Sequence, residues 1–219
     1  MGVSKQQAEE NRRSIVDAAT KLFRERGVDG VGLAELMKHA GFTQGGFYNH
    51  FKSKNALVTK VIETAMAETA AEFREILSRP APVDTTCFER QVDYYLSEGH
   101  RDDIECGCAV AGFVCDVARL GEEAQSRFTI GLNAAFTFLT ELVAVGAPPA
   151  KLKERRRLRE QAISLYCQMM GALLLSRSVR IADGALANEI LVVGRKALIG
   201  SSKLKPPKDP ERKRKHQRR

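Results

Sequence analysis

The chain contains no tryptophan, and aromatic residues make up only 6% of its 219 positions. Leucine and alanine dominate instead, and the seven prolines gather in a few places. That balance points to helices over sheet. No uninterrupted run of about 18 apolar residues occurs, so no membrane span is expected. The first residues lack an apolar signal core, and export is not expected either. Gln6 stands where N-myristoylation would need serine or threonine. The five cysteines therefore read as free thiols of a reducing cytoplasm, not as a disulfide framework.

Histidine is also scarce. His39 and His50 lie early, His216 lies near the end, and only His100 remains in between. No nucleophile, base and orienting group can be assembled from the sequence, and there is no glycine-rich phosphate loop or His-Glu metal pair. An enzyme is not expected, and no cofactor is implied. Cys106, Cys108 and His100 could offer three ligands, but at a spacing too loose for a metal site.

The formal charge is +8, which suggests a polyanionic partner. Its distribution qualifies this. From Lys203 to Arg219 there are nine Lys/Arg against two Asp/Glu, so the other 202 residues carry only +1. Residues 1–60 hold ten Lys/Arg against six Asp/Glu. Bulk charge alone does not establish a nucleic-acid partner.

The informative stretch is Leu33 to Phe51, LAELMKHAGFTQGGFYNHF. Leu33, Leu36, Met37 and Ala40 fall at i, i+3, i+4 and i+7, one apolar stripe of a short helix. Gly41 sits where a left-handed residue ends that helix. Phe42 plugs the corner, and the Thr43 hydroxyl can cap the next helix. In that second helix Phe47 and Phe51 lie four apart and face inward, which leaves Gln44, Gly46, Tyr48, Asn49 and His50 pointing elsewhere. Helix, glycine-bearing turn and helix form the DNA-reading helix-turn-helix, whose second helix enters the major groove. A loop-helix corner with aromatic plugs is the plainer reading of the same residues.

The exposed residues suit the first reading. Gln44 and Asn49 can each offer a base edge a donor and an acceptor. Tyr48, His50 and Lys54 can reach phosphates, which position without reading sequence. Gly45 and Gly46 are poor helix formers, and a pair of them fits a backbone that must approach DNA closely.

These segments carry a resemblance. Ile15-Val16-Asp17-Ala18-Ala19, Leu22-Phe23, Gly27, Ala40-Gly41-Phe42-Thr43, Phe47-Tyr48-Asn49-His50-Phe51 and Ser53-Lys54 resemble, in order and spacing, the N-terminal domain of the TetR/AcrR family of bacterial transcriptional regulators. The resemblance covers about the first quarter of the chain. It implies an all-α homodimer with a three-helix DNA-binding head and a larger helical-bundle body for ligand binding and dimerisation. Gln44, Gly45, Gly46, Tyr48 and His50 would line the DNA face, with Lys54 on a phosphate. Many members place threonine or serine just before the first motif helix. Here Val31 and Gly32 stand there, so a hydroxyl cannot make that contact.

Elsewhere the periodicity predicts a first helix from about Lys5 to Arg26 and, with Ser53 as cap, a long helix from Lys54 to Ser78, ended by Arg79-Pro80-Ala81-Pro82. Arg12 and Arg13 could reach a DNA backbone or simply be solvated. Helices are predicted from Thr86 to Gly99, Cys106 to Leu120, Glu122 to Val145, Lys151 to Arg180 and Asp183 to Leu198, with 99–105 as a loop and Gly146–Pro149 as a terminator. The division is residues 1–53 as head, 54–200 as effector-binding and dimerisation body, and 201–219 as a disordered basic tail. The resemblance implies that the last two helices of each subunit pack about a two-fold axis and that the long helix after the motif moves the head.

An effector pocket between body helices could draw on Phe73, Tyr95, Phe113 and Phe128, and on Phe136, Tyr166, Met169 and Met170. An apolar or mildly polar small molecule fits these faces. Cys106-Gly107-Cys108 opens a helix, where a thiolate is favoured. In the family a thiol-sensing subset uses a cysteine at the position matching Cys108. The implied partners are a palindromic double-stranded operator, a second copy of the chain, and an unknown small-molecule or redox effector. The favoured function is a transcriptional repressor released by an effector. The alternatives are a thiol sensor acting through Cys106 or Cys108, and a sequence-nonspecific architectural DNA-binding protein.

Overall fold

A computed structural model describes residues 4–79, 86–144 and 151–202. The breaks predicted at Pro80 to Pro82 and at Gly146 to Pro149 and the basic tail lie outside these residues.

The head is built from α1 (Lys5–Arg26), α2 (Leu33–His39) and a 3₁₀ segment (Gln44–Asn49). The Ser4 hydroxyl accepts the Gln7 N–H and starts α1. Ile15, Ala19, Leu22 and Phe23 bury its inner face. After α2 the Phe42 N–H donates to the Met37 carbonyl and the Gly41 N–H to that of Lys38. This double closure requires a left-handed residue at Gly41, whose φ is 84°.

The body is α3 (Lys54–Ser78), α4 (Cys87–Tyr95), α5 (Glu98–Asp102), α6 (Ala109–Val117), α7 (Glu122–Val143), α8 (Leu152–Val179) and α9 (Gly184–Ser202). Ser53 caps α3 by accepting the Ala56 N–H, as its sequence position predicts. Thr86 and Glu89 cap α4 reciprocally. α3 and α7 run side by side in the same direction: Glu63 pairs with Arg127, Gly131 lies against Met66, and Phe73 stacks on Phe138 at 4.2 Å between centroids. A Cβ at Gly131 would come within 2.6 Å of Met66, so only glycine admits this approach. α8 and α9 form an antiparallel pair in which the Ser176 hydroxyl donates to the Ala187 carbonyl and Gly194 meets Ala172.

Two sequence expectations change. The segment Glu98–Asp102 is a helical turn capped by Ser97, not a loop, because it buries His100 and Arg101. The helix predicted from Cys106 starts at Ala109, since Cys108 has an extended ψ of 121° and serves as its N-cap. An 18-residue window of α8 reaches a mean hydropathy of 1.2, enough by length and composition for a membrane span, although no continuous apolar run was apparent. One face of α8 packs in the subunit through Leu165, Met169 and Leu173, while Leu175 stays 60% exposed.

Candidate nucleic-acid interface

The motif separates an inner and an outer face. Phe47 is fully buried and Phe51 nearly so, their rings stacked at 5.8 Å. Burying each such ring contributes about 1.5–3 kcal/mol, which fixes the outward direction of its neighbours. Thr43, Gln44, Gly45, Tyr48 and Asn49 are exposed, and Tyr48 stands edge-on to Phe47 at 68% exposure. Gly46 and His50 are half-buried.

The second element of the motif is a six-residue 3₁₀ helix, not the α-helix the periodicity suggested. Two glycines remove helix propensity, and Thr43 makes no side-chain capping bond, contrary to expectation. Neither glycine is needed by the fold. Both lack a positive φ, a Cβ at Gly45 would meet nothing within 4 Å, and one at Gly46 would find only ordinary contacts at 3.9 and 4.0 Å. The space beside them is open for a molecule outside the chain.

Two cations that could reach phosphates turn inward. The Lys54 ammonium donates to the carbonyls of Val28 and Val31, each at 2.7 Å. It ties the start of α3 to the turn before α2. The Arg12 guanidinium donates to the His50 carbonyl and lies 4.1 Å from the Phe51 ring centre. In this free form both residues hold the head together.

The head is also fastened to the body. Arg24 of α1 donates through Nη1 to the carbonyls of Glu105 (3.1 Å) and Gly107 (2.9 Å), and its Nε is buried without a partner. Its charge faces Cys108, Glu68, Cys106 and Glu72, while burial pulls its pKa below the ordinary value. The Asp116 carboxylate of α6 accepts the Val28 N–H at 3.2 Å. From the other side Arg177 of α8 donates to the carbonyls of His100 and Arg101, both at 2.9 Å. The loop carrying Cys106 and Cys108 is thus gripped from both α1 and α8. Sequence reasoning missed Arg24, Arg177 and Asp116, because their partners lie more than 70 residues away.

His100 organises this loop. Its Nδ1 lies 2.8 Å from the Tyr95 carbonyl, and its Nε2 accepts the Cys108 N–H at 3.2 Å. That pairing requires a neutral ring with the proton on Nδ1. Burial, chiefly, and nearby Arg177 depress the His100 pKa, in agreement. The same bond occupies the nitrogen a metal would need.

The aromatic residues proposed for an effector lie in the core. Tyr95, Phe113, Phe128, Tyr166, Met169 and Met170 are buried, and Phe136 meets Tyr166 edge-on at 5.4 Å. Phe73 is half-buried on Phe138. Burial pushes the phenols of Tyr95 and Tyr166 well up, so both are neutral. Cys108 faces both rings; the Tyr95 hydroxyl lies 3.7 Å from Met170 Sδ, and that of Tyr166 is buried beside Cys108 and Tyr95. A cleft of about 370 Å³ lies elsewhere, between α3 and α4, lined by Glu72, Glu75, Arg79, Arg90 and Tyr94. Its charge contrasts with the apolar faces read from the sequence.

The profile of the family described as "Bacterial regulatory proteins, tetR family" matches residues 15–61, which span the buried face of α1, the motif and the start of α3. Residues 15–61 therefore carry the DNA-binding domain of the TetR family. The chain is 26% identical over 192 residues to the HTH-type transcriptional repressor NemR of Escherichia coli K12, covering 85% of itself and 95% of NemR. It is 43% identical over 60 residues to the regulator AcrR of Shigella flexneri, about 28% of that protein. The reduced form of E. coli NemR shares its fold with a TM-score of 0.65 at 22% identity, covering 86% of this chain and 95% of that one. A TetR regulator from Chloroflexus aurantiacus does so with 0.68 at 22% identity, covering 88% and 94%. With this domain the protein is a DNA-binding transcriptional regulator.

Proposed function

We propose that this regulator is a homodimeric repressor released from a palindromic operator by an effector acting on the body. The observation that carries the proposal is the outer face of the motif, where Gln44, Tyr48 and Asn49 surround two glycines that the fold itself does not require. Gln44 and Asn49 read base edges, and Tyr48, His50 and Thr43 contact the backbone. Lys54 would reach a phosphate only by leaving its two carbonyls.

An apolar face supports the dimer. Leu175, Ile181, Leu186, Val192 and Val193 on or between α8 and α9 are exposed by 38–90%. Such a surface is costly in water and fits a second copy of the same pair. The division after residue 53 follows the capped start of α3.

The effector reading has two forms. A small molecule would enter where Tyr95, Tyr166 and Met170 meet Cys108, and the buried Tyr166 hydroxyl supplies a polar handle. The second form is modification of Cys108 itself. It is favoured by the grip of Arg24 and Arg177 on the loop, since a group added there would be felt by both α1 and α8.

The test is fluorescence anisotropy on DNA immediately upstream of the protein's own gene, with the protein reduced and then treated with a mild electrophile. Tight binding lost on treatment, and retained by Cys108→Ser, supports the thiol form. Tight binding unaffected by treatment leaves the small molecule. Binding no better than to scrambled DNA, or unchanged by Tyr48→Ala and Gln44→Ala together, defeats the assigned face.

A further inference from the structure

His100 is a titratable side chain with only 6% of its surface exposed, and the DNA face of the head makes no use of it. Both ring nitrogens are committed. Nδ1 donates to the Tyr95 carbonyl at 2.8 Å, and Nε2 accepts the Cys108 N–H at 3.2 Å. Cys108 is the N-cap of α6, and its own side chain makes no capping bond. His100 therefore takes up a backbone donor at the point where α6 begins.

The head sits on α6 and the residues just before it. The Glu105 and Gly107 carbonyls accept the Arg24 guanidinium. Gly112 packs so closely on the Arg24 stem that a Cβ there would lie 2.8 Å from Arg24 Cγ. One turn on, the Asp116 carboxylate accepts the Val28 N–H. α1 and the turn after it are thus seated on residues 105–116, and His100 fixes where the helical part of that stretch starts.

There is little slack at this point. A Cβ on Gly107 would come within 2.3 Å of the Asp103 carbonyl, 3.0 Å of Arg177 Nη2 and 3.5 Å of His100 Nε2. The surroundings favour a neutral ring. α4 contributes the rings of Tyr94 and Tyr95, 5.3 and 4.7 Å away between centres. α8 contributes the Arg177 guanidinium, which donates to the His100 carbonyl. Asp103 is the facing anion, and its Oδ1 is occupied by the Cys106 N–H. Arg101, next in the chain, turns to Asp102 and Asn188. A second ring proton would sit on Nε2 and point at the Cys108 N–H, donor against donor. The bond cannot survive that, and the start of α6 must draw away from the ring.

We propose that His100 is a proton-operated latch between body and head: the neutral ring fixes the start of α6 and with it the seat of the head, and the imidazolium releases that seat and weakens operator binding. A seated head is already placed for its half-site, whereas a released head must be ordered on binding, which lowers affinity. The latch rests on the operator reading proposed above and adds acidification to the signals the body can pass on. Its direction distinguishes it from the head's own response. Positive charge gained by His39 and His50 of the head strengthens attraction to phosphates, so the head alone answers acid with tighter binding.

The test measures the Kd of the full chain for a duplex selected from a random pool, from pH 7.5 to pH 5.5 at constant ionic strength. The parent is compared with His100→Gln and Arg24→Gln. The parent Kd should rise at least about tenfold over this range, as proton and DNA binding oppose each other in each protomer. Both variants should stay level or tighten. Arg24→Gln keeps His100 and cuts the head's grip on the loop, so it separates coupling from a purely local effect of the proton. Helicity by circular dichroism should not change. Amide NMR spectra without DNA give a second readout: the Val28 N–H signal should follow the midpoint of the His100 ring in the parent and ignore pH in His100→Gln. That readout needs no duplex, so a failed selection at pH 7.5 counts against the operator reading and leaves the latch to be judged by Val28. A parent curve parallel to that of His100→Gln overturns the proposal. So does a Val28 signal that does not follow His100, or a loss of binding that tracks a loss of helicity.

Discussion

Replacing Lys54 with methionine separates two roles for one side chain. Methionine keeps most of the stem and removes the ammonium, which lies 5.8 Å from the Phe23 ring centre and donates to two carbonyls at 2.7 Å. A hydrogen bond to a charged donor contributes about 1.5–3 kcal/mol. Lys54 is half-buried, so water can replace part of that loss at Val28 and Val31. A net destabilisation of about 2–3 kcal/mol follows, or roughly 5–10 °C in the midpoint of a chain this size. Differential scanning calorimetry on the free protein reads this directly. Salt titration of DNA binding reads the other role, because a lost phosphate contact lowers the slope by about 0.9. The structure predicts a lower midpoint with an unchanged slope. An unchanged midpoint together with a reduced slope would refute the internal role and return Lys54 to the DNA backbone.

Gly45→Ala should raise the stability of the head by up to about 1 kcal/mol, since the added Cβ meets nothing, while weakening binding to a selected duplex. Loss of both stability and binding would mean that the glycine serves the fold. For His100 the folded pKa lies below the ordinary value of 6.5, so its contribution is complete above about pH 6.5 and is lost as the pH falls through the lower, folded value. Urea titrations from pH 7.5 down to pH 5 should show a steeper loss in the parent chain than in His100→Gln, and parallel losses would remove His100 from the acid response. Leu175→Asp with Val193→Asp should convert the dimer to a monomer by sedimentation, with little change in helicity; a persisting dimer would place the interface elsewhere.

The sequence determined those features whose causes are local. The bounds of α1 and α3 could be read directly because an apolar stripe runs through each, and Ser53 stands in line to cap α3. Gly41 announced its turn, since few other residues adopt its φ. Phe47 and Phe51, by their spacing of four, mark the inner face of the motif and so its outer one.

What depended on distant parts of the chain was invisible. The helical turn at Glu98–Asp102 forms because His100 and Arg101 find partners in Tyr95, Arg177 and Asn188. Polar composition alone reads as a loop. Lys54, Arg12 and Arg24 look like surface cations along the sequence, yet each is spent on backbone carbonyls that only folding brings near. Periodicity and capping act over a few residues and can be read in line. Charge-assisted contacts and the meeting of helix ends act through space, and the tertiary structure alone decided them.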